Sequence, residues 1–211
     1  MTSEMTSSWV MLMAFGAFHG INPGMGWLFA VALGMQERRR GAVLRALLPL
    51  GAGHALAVAG AVGAALVIGA VIPLSRLRWA VAIVLVLLGV LRLYRHRHPR
   101  WAGMRVSMAG LTWWSFLMAT AHGAGLMVVP IFGAMAMAGE GGHMHHASTA
   151  GAGPALVATA LHAAGYLAVT AVVALLVFEK LGVGILRRAW FNFDLIWAAA
   201  LMATGVLTMV M

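Results

Sequence analysis

Six apolar runs, each close to the length needed to cross a bilayer, dominate this sequence. A hydrocarbon core about 30 Å thick requires roughly 20 helical residues. The chain is 63% hydrophobic and only 9% charged, which is far from the balance of a soluble domain. The sequence therefore predicts an all-α integral membrane protein with six transmembrane helices.

The predicted spans form a single polytopic membrane domain, residues 1–211, and are joined by short segments. They cover residues 9–35, 43–72, 79–94, 108–138, 154–178 and 189–211. The third run is short for a membrane span, so we expect its helix to begin earlier, near Pro73.

Lys and Arg are distributed unevenly between the two sides of these spans. Twelve of the fourteen lie in the connections after spans one, three and five or at their ends, and only Arg76 and Arg78 lie on the opposite side. Because loops rich in Lys and Arg stay in the cytoplasm, both termini are expected on the non-cytoplasmic side of a cell inner membrane. The net charge of +9 then reflects contacts with the lipid bilayer, and no nucleic-acid partner is expected.

Motifs for enzyme chemistry are missing from the sequence. Cysteine is absent, which excludes thiol relays, disulfides and thiolate metal sites. The single lysine, Lys180, lies outside any phosphate-binding loop pattern, and neither H-E-x-x-H nor G-x-S-x-G occurs. We therefore expect no enzymatic activity and no permanently bound cofactor. A transporter of this kind would couple to a gradient or to a separate energising subunit.

The two halves of the chain share short sequence matches in the same order. "FHG" at 18–20 corresponds to "AHG" at 121–123, and "GHALAVAG" at 53–60 corresponds to "LHAAGYLAVTA" at 161–171. The matches predict an internal repeat of three spans.

The end of each half agrees with this repeat. "LLGVLRL" at 87–93 corresponds to "ATGVLTM" at 203–209, so repeat one covers about 9–94 and repeat two about 108–211. Because three is an odd number of spans, the second repeat must enter the membrane from the opposite face. The fold predicted is thus two inverted three-helix repeats.

Four histidines lie within predicted spans at equivalent places in the repeat, namely His19, His54, His122 and His162. Buried polar side chains are costly in lipid, so we expect these four to converge on one polar site. Imidazole binds a transition metal when neutral and carries a proton when charged, and both uses suit a transporter. The alternative for any one histidine is an interhelical hydrogen bond.

Asn22 and Met25 are secondary candidates for the metal site because they lie just after His19. Proline and glycine in the same stretch favour a broken helix, whose unpaired backbone groups help to bind an ion. Thioether from Met25, Met118 or Met127 would favour Cu(I). Most of the sixteen methionines are nevertheless expected to be packing residues.

The stretch "HGINPG" at 19–24, followed by an Arg-rich turn and "GHALAVAG", resembles the NicO-type nickel and cobalt transporters of the LysE-like superfamily. This resemblance implies a bundle of six or more helices that moves a small cation, with the first-helix motif as the metal site. His19 matches the first histidine of that motif, and His54 matches the second-helix histidine. Gly24 and Met25 stand where the family has Asp and a second His, so copper is as consistent as nickel or cobalt.

The sequence therefore favours a secondary transporter of a transition metal ion, acting as a homo-oligomer or with an accessory subunit. "NPG" at 22–24 also resembles the Pro-Gly motif of amino-acid exporters in the same superfamily, so export of amino acids or another small solute is an alternative. A non-transporting accessory protein for metalloenzyme assembly is the alternative from a different class.

Two further features carry predictions of their own. The loop at 139–154 contains His143, His145 and His146, which would either gather metal weakly or belong to a plain polar connector. Tryptophans near predicted span ends are expected to anchor the interfaces, and these are Trp9, Trp101, Trp113, Trp114, Trp190 and Trp197.

Overall fold

The computed structural model describes residues 3–94, 107–139, 152–181 and 193–210. Its helices are α1 (Ser3–Ile21), α2 (Trp27–Glu37), α3 (Arg40–Gly69), α4 (Leu74–Tyr94), α5 (Met108–Ala121), α6 (Ala124–Gly139), α7 (Ala152–Leu176) and α8 (Phe193–Val210). A 3-10 turn, Pro23–Met25, joins α1 to α2, and a π-helical turn, Val177–Leu181, extends α7. The described residues contain no strand, which confirms the all-α class. The three histidines of the 139–154 loop, Trp101 and Trp190 lie outside the described residues.

Among the described residues, two helices are long and apolar enough to cross a membrane. They are α3 and the segment Ala152–Lys180, which is α7 with most of its π-helical turn. Met108–Ala121 and Ala124–Phe132 make a third span if this pair, bent by 59°, is counted as one. These lengths are compatible with membrane insertion. Helix α4 begins at Leu74, so the expected early start of the third predicted span is confirmed.

The first predicted span is broken between α1 and α2. Asn22 has an extended backbone, and its side-chain oxygen accepts a hydrogen bond of 2.9 Å from the N–H of Gly24. Pro23 has no N–H with which to continue the α1 ladder. Gly26 takes a φ of 125°, a conformation that disfavours any side chain. The chain therefore leaves α1 at Ile21 and restarts as α2 at Trp27, which confirms the broken helix expected beside His19.

The fourth predicted span is broken at the corresponding place. Helix α5 ends at Ala121, His122 is its C-terminal cap, and α6 begins at Ala124. Between them Gly123 has a φ of 71°, the left-handed backbone for which glycine is favoured. A break thus follows His19 in one half of the chain and falls at His122 in the other.

The helices of one half pack mainly on helices of the other half. Helix α1 packs most extensively on α7, α3 on α5, and α4 on α8, and α3 also packs on α7. Where α1 crosses α7, a Cβ atom on Gly16 would lie 1.9 Å from the carbonyl oxygen of His162. A Cβ atom on Gly165 would lie 2.2 Å from the carbonyl oxygen of Met13. Small residues on both helices therefore allow backbone contact, as in membrane helix pairs.

Polar side chains are buried in this bundle while many large apolar ones face outward. In the described part of the chain, the buried polar residues are His19, Asn22, His54, Ser115, His122, Thr159, His162, Thr170, Thr204 and Thr208. By contrast, Leu48 is 76% exposed and Val67 is 72% exposed. An exposed apolar surface of this kind suits contact with lipid, and the polar interior suits a functional site.

Ion pairs link the end of α2 to the start of α3. Glu37 pairs with Arg39 at 2.6 Å and with Arg45, and Arg40 lies 3.9 Å from Glu179 in the π-helical turn. The hydrogen bond from Arg39 and the charge of Arg45 hold the pKa of Glu37 below its usual range. Exposed pairs of this kind stabilise a fold only weakly.

Candidate cation site

Three of the four sequence-predicted histidines meet in the bundle interior, and we call them the histidine triad: His19, His54 and His162. They come from α1, α3 and α7 respectively. The ring centroid of His19 lies 5.6 Å from that of His54 and 5.1 Å from that of His162. The centroids of His54 and His162 are 5.3 Å apart. All three residues have no exposed surface, so the triad is closed to solvent in this conformation.

Backbone carbonyls fix the protonation of two triad rings. Nδ1 of His19 lies 2.7 Å from the carbonyl oxygen of Phe15, and Nδ1 of His162 lies 3.2 Å from that of Leu12. Since a carbonyl only accepts, each Nδ1 must carry the hydrogen and donate it. In the neutral imidazole this leaves the lone pair on Nε2, which is how backbone partners commonly prepare a histidine to bind metal.

The remaining ring nitrogens of the histidine triad are unpaired. Nε2 of His19, Nε2 of His162 and both ring nitrogens of His54 are buried without a hydrogen-bond partner among the described residues. Leaving a buried polar group unpaired costs about 1–3 kcal/mol. Four such atoms in one cluster require an explanation, and a ligand that binds them is one.

The fourth predicted histidine, His122, is buried and contacts the ring of Trp197. The indole also contacts His19, with centroids 4.6 Å apart for His19 and 5.2 Å apart for His122. In both contacts the rings are nearly perpendicular, at 84° and 79°. Trp197 therefore adjoins the histidines that precede the two helix breaks.

The prediction of an interfacial role is wrong for Trp197. Its side chain is only 2% exposed, it stacks on Phe18, and its indole N–H donates to the carbonyl oxygen of His122 at 3.0 Å. The break after His122 frees a carbonyl that would otherwise be paired within a helix, and a buried indole needs an acceptor. Trp113 is 65% exposed, so an interfacial role stays a prediction for this residue.

The two secondary candidates have contacts within the first helix break. The side-chain oxygen of Asn22 is occupied by the N–H of Gly24. Met25 is buried, and its carbonyl oxygen accepts a hydrogen bond of 2.7 Å from the hydroxyl of Tyr166. Met118 and Met127, the other thioether candidates, are buried in the apolar core.

Tyr166 was not predicted to belong to the site, yet it joins the histidine triad to the first helix break. Its ring stacks on that of His54, with centroids 3.9 Å apart and planes 7° from parallel. Its hydroxyl holds the carbonyl of Met25 at the break. The available sequence signal is its position four residues after His162, which places both on one face of α7.

Side-chain donors also occupy other carbonyls of the first break. The indole of Trp27 donates to the carbonyl of Ile21 at 2.9 Å, and the indole of Trp114 donates to that of Gly24 at 3.1 Å. With the Tyr166 contact, three carbonyls of this segment are paired. They are therefore not the free oxygen ligands that a broken membrane helix often provides.

The ring separations suit coordination of one ion, but the triad is not a finished metal centre. An ion about 2.1 Å from three imidazole nitrogens, at tetrahedral angles, holds the ring centroids about 5 Å apart. The triad separations of 5.1–5.6 Å are close to that value. In the described part of the chain, however, no group of three or more His, Cys, Asp or Glu side chains is placed to hold a metal ion. Binding would therefore require the rings to turn towards a common point.

No known protein family, curated protein or solved structure matches this chain. Function is therefore inferred from the chemistry of the site, because a helical fold by itself is compatible with many functions.

Proposed function

We propose that this protein is a secondary membrane transporter of a small cation and that the histidine triad binds the cargo. The observation that supports this most strongly is the grouping of three fully buried imidazoles with four unpaired ring nitrogens. A bound cation would offset the cost of those unpaired atoms. The rings must also rearrange to bind it, which suits a cargo site because transport requires release as well as binding.

The donor set favours a transition metal ion as the cargo. The triad offers neutral imidazole nitrogen, which suits nickel, cobalt, copper and zinc, whereas magnesium and calcium need several oxygen ligands. The backbone oxygens nearest the first break are already paired with Trp27, Trp114 and Tyr166. The resemblance of the first two spans to NicO-type transporters agrees with nickel or cobalt. The thioether of Met25 makes copper a further candidate.

The proposed topology has six spans in two inverted repeats within one domain, with both termini outside the cytoplasm of a cell inner membrane. Three observations support it. The helix contacts follow the repeat. Helix α1 of the first half packs on α7 of the second half, and α5 of the second half packs in the equivalent way on α3 of the first half. The first span of each half is broken beside a histidine. The predicted cytoplasmic side carries twelve of the fourteen basic residues.

Metal binding to purified protein tests the cargo site. The wild type, in detergent, is incubated with Ni²⁺, Co²⁺, Zn²⁺ or Cu⁺, and bound metal is measured after gel filtration. We expect about one ion per chain, and we expect the triple variant His19→Ala, His54→Ala, His162→Ala to lose it. Thr208→Val is the matched control, because it removes a buried hydroxyl that only donates to the carbonyl of Thr204 in the same helix. Equal metal in the wild type and the triple variant would contradict the proposal.

Uptake into liposomes separates transport from the alternatives. A transporter moves the bound metal down a gradient, and the triple variant does not. An accessory protein binds metal but moves nothing when purified. An amino-acid exporter moves labelled amino acids and is insensitive to loss of the triad.

A further inference from the structure

We propose that the chain forms a second cation site from His122, His54 and His162 when it opens to the opposite side of the membrane. This inference rests on the proposed transport function and its inverted repeats. The repeat pairs His19 with His122 and His54 with His162. Exchanging the two halves therefore converts the histidine triad into the set of His122, His162 and His54. An inverted-repeat transporter alternates by such an exchange, since each repeat takes up the conformation of the other.

The rings of His19 and His122 are held by the same kind of hydrogen bond. Nδ1 of His122 lies 2.8 Å from the carbonyl oxygen of Met118, four residues earlier, just as Nδ1 of His19 lies 2.7 Å from that of Phe15. In both residues the carbonyl takes the Nδ1 hydrogen, so Nε2 is the nitrogen that carries the lone pair. The position that the repeat relates to His19 thus also holds an imidazole in the tautomer suited to bind a ligand.

His54 and His162 are placed to serve both sites. Their rings are 9° from parallel with centroids 5.3 Å apart, and they lie on α3 and α7, which pack against each other. These two helices are the partners that the repeat exchanges, so their contact is preserved when the halves swap roles. The pair would remain with the cargo while His19 and His122 alternate as the third ligand.

Trp197 makes the two sites unequal. It touches both His19 and His122, and its indole N–H is bonded to the carbonyl of His122. The match of 87–93 to 203–209 places Val81 at the equivalent position of repeat one. Because the indole of Trp197 and the isopropyl group of Val81 occupy equivalent positions, the two conformations related by exchange of the repeats differ in stability. In the conformation described, His19 completes the triad.

A matched pair of variants tests the second site. His19→Asn and His122→Asn each keep an amide N–H that can donate to the carbonyl four residues earlier, but neither offers the imidazole Nε2. Equilibrium binding of Co²⁺ is measured on the full chain in detergent, and Co²⁺ uptake is measured in liposomes. Thermal unfolding of each variant reports whether the fold is kept.

The inference predicts a split between binding and transport. His19→Asn should weaken Co²⁺ binding by at least about tenfold, whereas His122→Asn should bind like the wild type. Both variants should lose Co²⁺ uptake. Uptake at the wild-type rate in a folded His122→Asn protein would overturn the second site while leaving the first intact. Loss of Co²⁺ binding in that variant would also overturn it, because His122 would then belong to the first site. A wild type that binds no Co²⁺ would overturn the cargo site and this inference together.

Discussion

At the scale of the single residue, Tyr166 makes two contacts that serve different purposes. Its ring covers one face of His54, and its hydroxyl pairs with a carbonyl that the first helix break would otherwise leave unpaired. The first contact limits how far the His54 ring can turn. The second stabilises the turn that ends α1. Stability and ligand orientation can therefore be separated by removing only the hydroxyl.

Tyr166→Phe should lower the free energy of unfolding by about 1–3 kcal/mol, because the buried carbonyl of Met25 loses its donor. Metal affinity should change little, since the aromatic ring still stacks on His54. Tyr166→Leu should weaken metal binding as well. Thermal unfolding and metal binding in detergent measure the two effects. The other tyrosine, Tyr94, is 82% exposed, so Tyr94→Phe is the control and should behave like the wild type. A Tyr166→Phe protein as stable as the wild type would rule out the bond to Met25.

At the scale of the helix, the close contact between α1 and α7 sets the distance between His19 and His162. Gly16 lies against the backbone of His162, and Gly165 lies against that of Met13. A methyl group at either position cannot be accommodated by rotation of a side chain, because the neighbouring atoms are backbone. The two helices would have to separate, and the two imidazoles would separate with them.

Gly16→Ala should therefore destabilise the fold by about 1–3 kcal/mol, the usual cost of overpacking, and it should weaken metal binding. Gly60→Ala in α3 is the matched control, because nothing lies within 4 Å of a Cβ atom built there. Because glycine within a helix is less favourable than alanine, Gly60→Ala should be more stable than the wild type by about 0.5–1 kcal/mol. In thermal unfolding, the melting temperature should fall for Gly16→Ala and rise for Gly60→Ala. A Gly16→Ala protein more stable than the wild type would show that helix propensity, not the α1–α7 contact, governs this position.

The apolar runs located the helices well because burial in lipid requires about 20 apolar residues whatever the tertiary contacts are. The first break was predictable since Asn22, Pro23 and Gly26 each favour a turn. The second break was not assigned, because only Gly123 marks it and a single glycine is tolerated within a helix. The prediction that histidines meet followed from their repeat positions. The buried position of Trp197 could not be predicted, because a tryptophan at the end of a span and a tryptophan in the core cannot be distinguished by sequence alone.

At the scale of the whole molecule, the packing of the two halves and the distribution of charge are both compatible with the proposed topology. Helices of one half pack mainly on those of the other, as expected if the halves are related by an axis in the membrane plane. The basic turn between α2 and α3, together with Arg40 and Arg45 in the first turns of α3, would then lie on the cytoplasmic side. The beginning of α1 and the end of α8 would both lie on the other side.

Because the chain has no cysteine, single cysteines can report this topology without background labelling. Thr6→Cys and Val210→Cys should react with a membrane-impermeant maleimide in intact spheroplasts, since both sites are exposed and both termini are expected outside. Gly41→Cys, at an open position beside the basic turn, should react only after the membrane is permeabilised. Labelling of Thr6→Cys and Val210→Cys from opposite sides would require an odd number of spans. That result would exclude two inverted three-helix repeats, and with them the exchange of His19 and His122, while leaving the metal-binding test of the histidine triad unaffected.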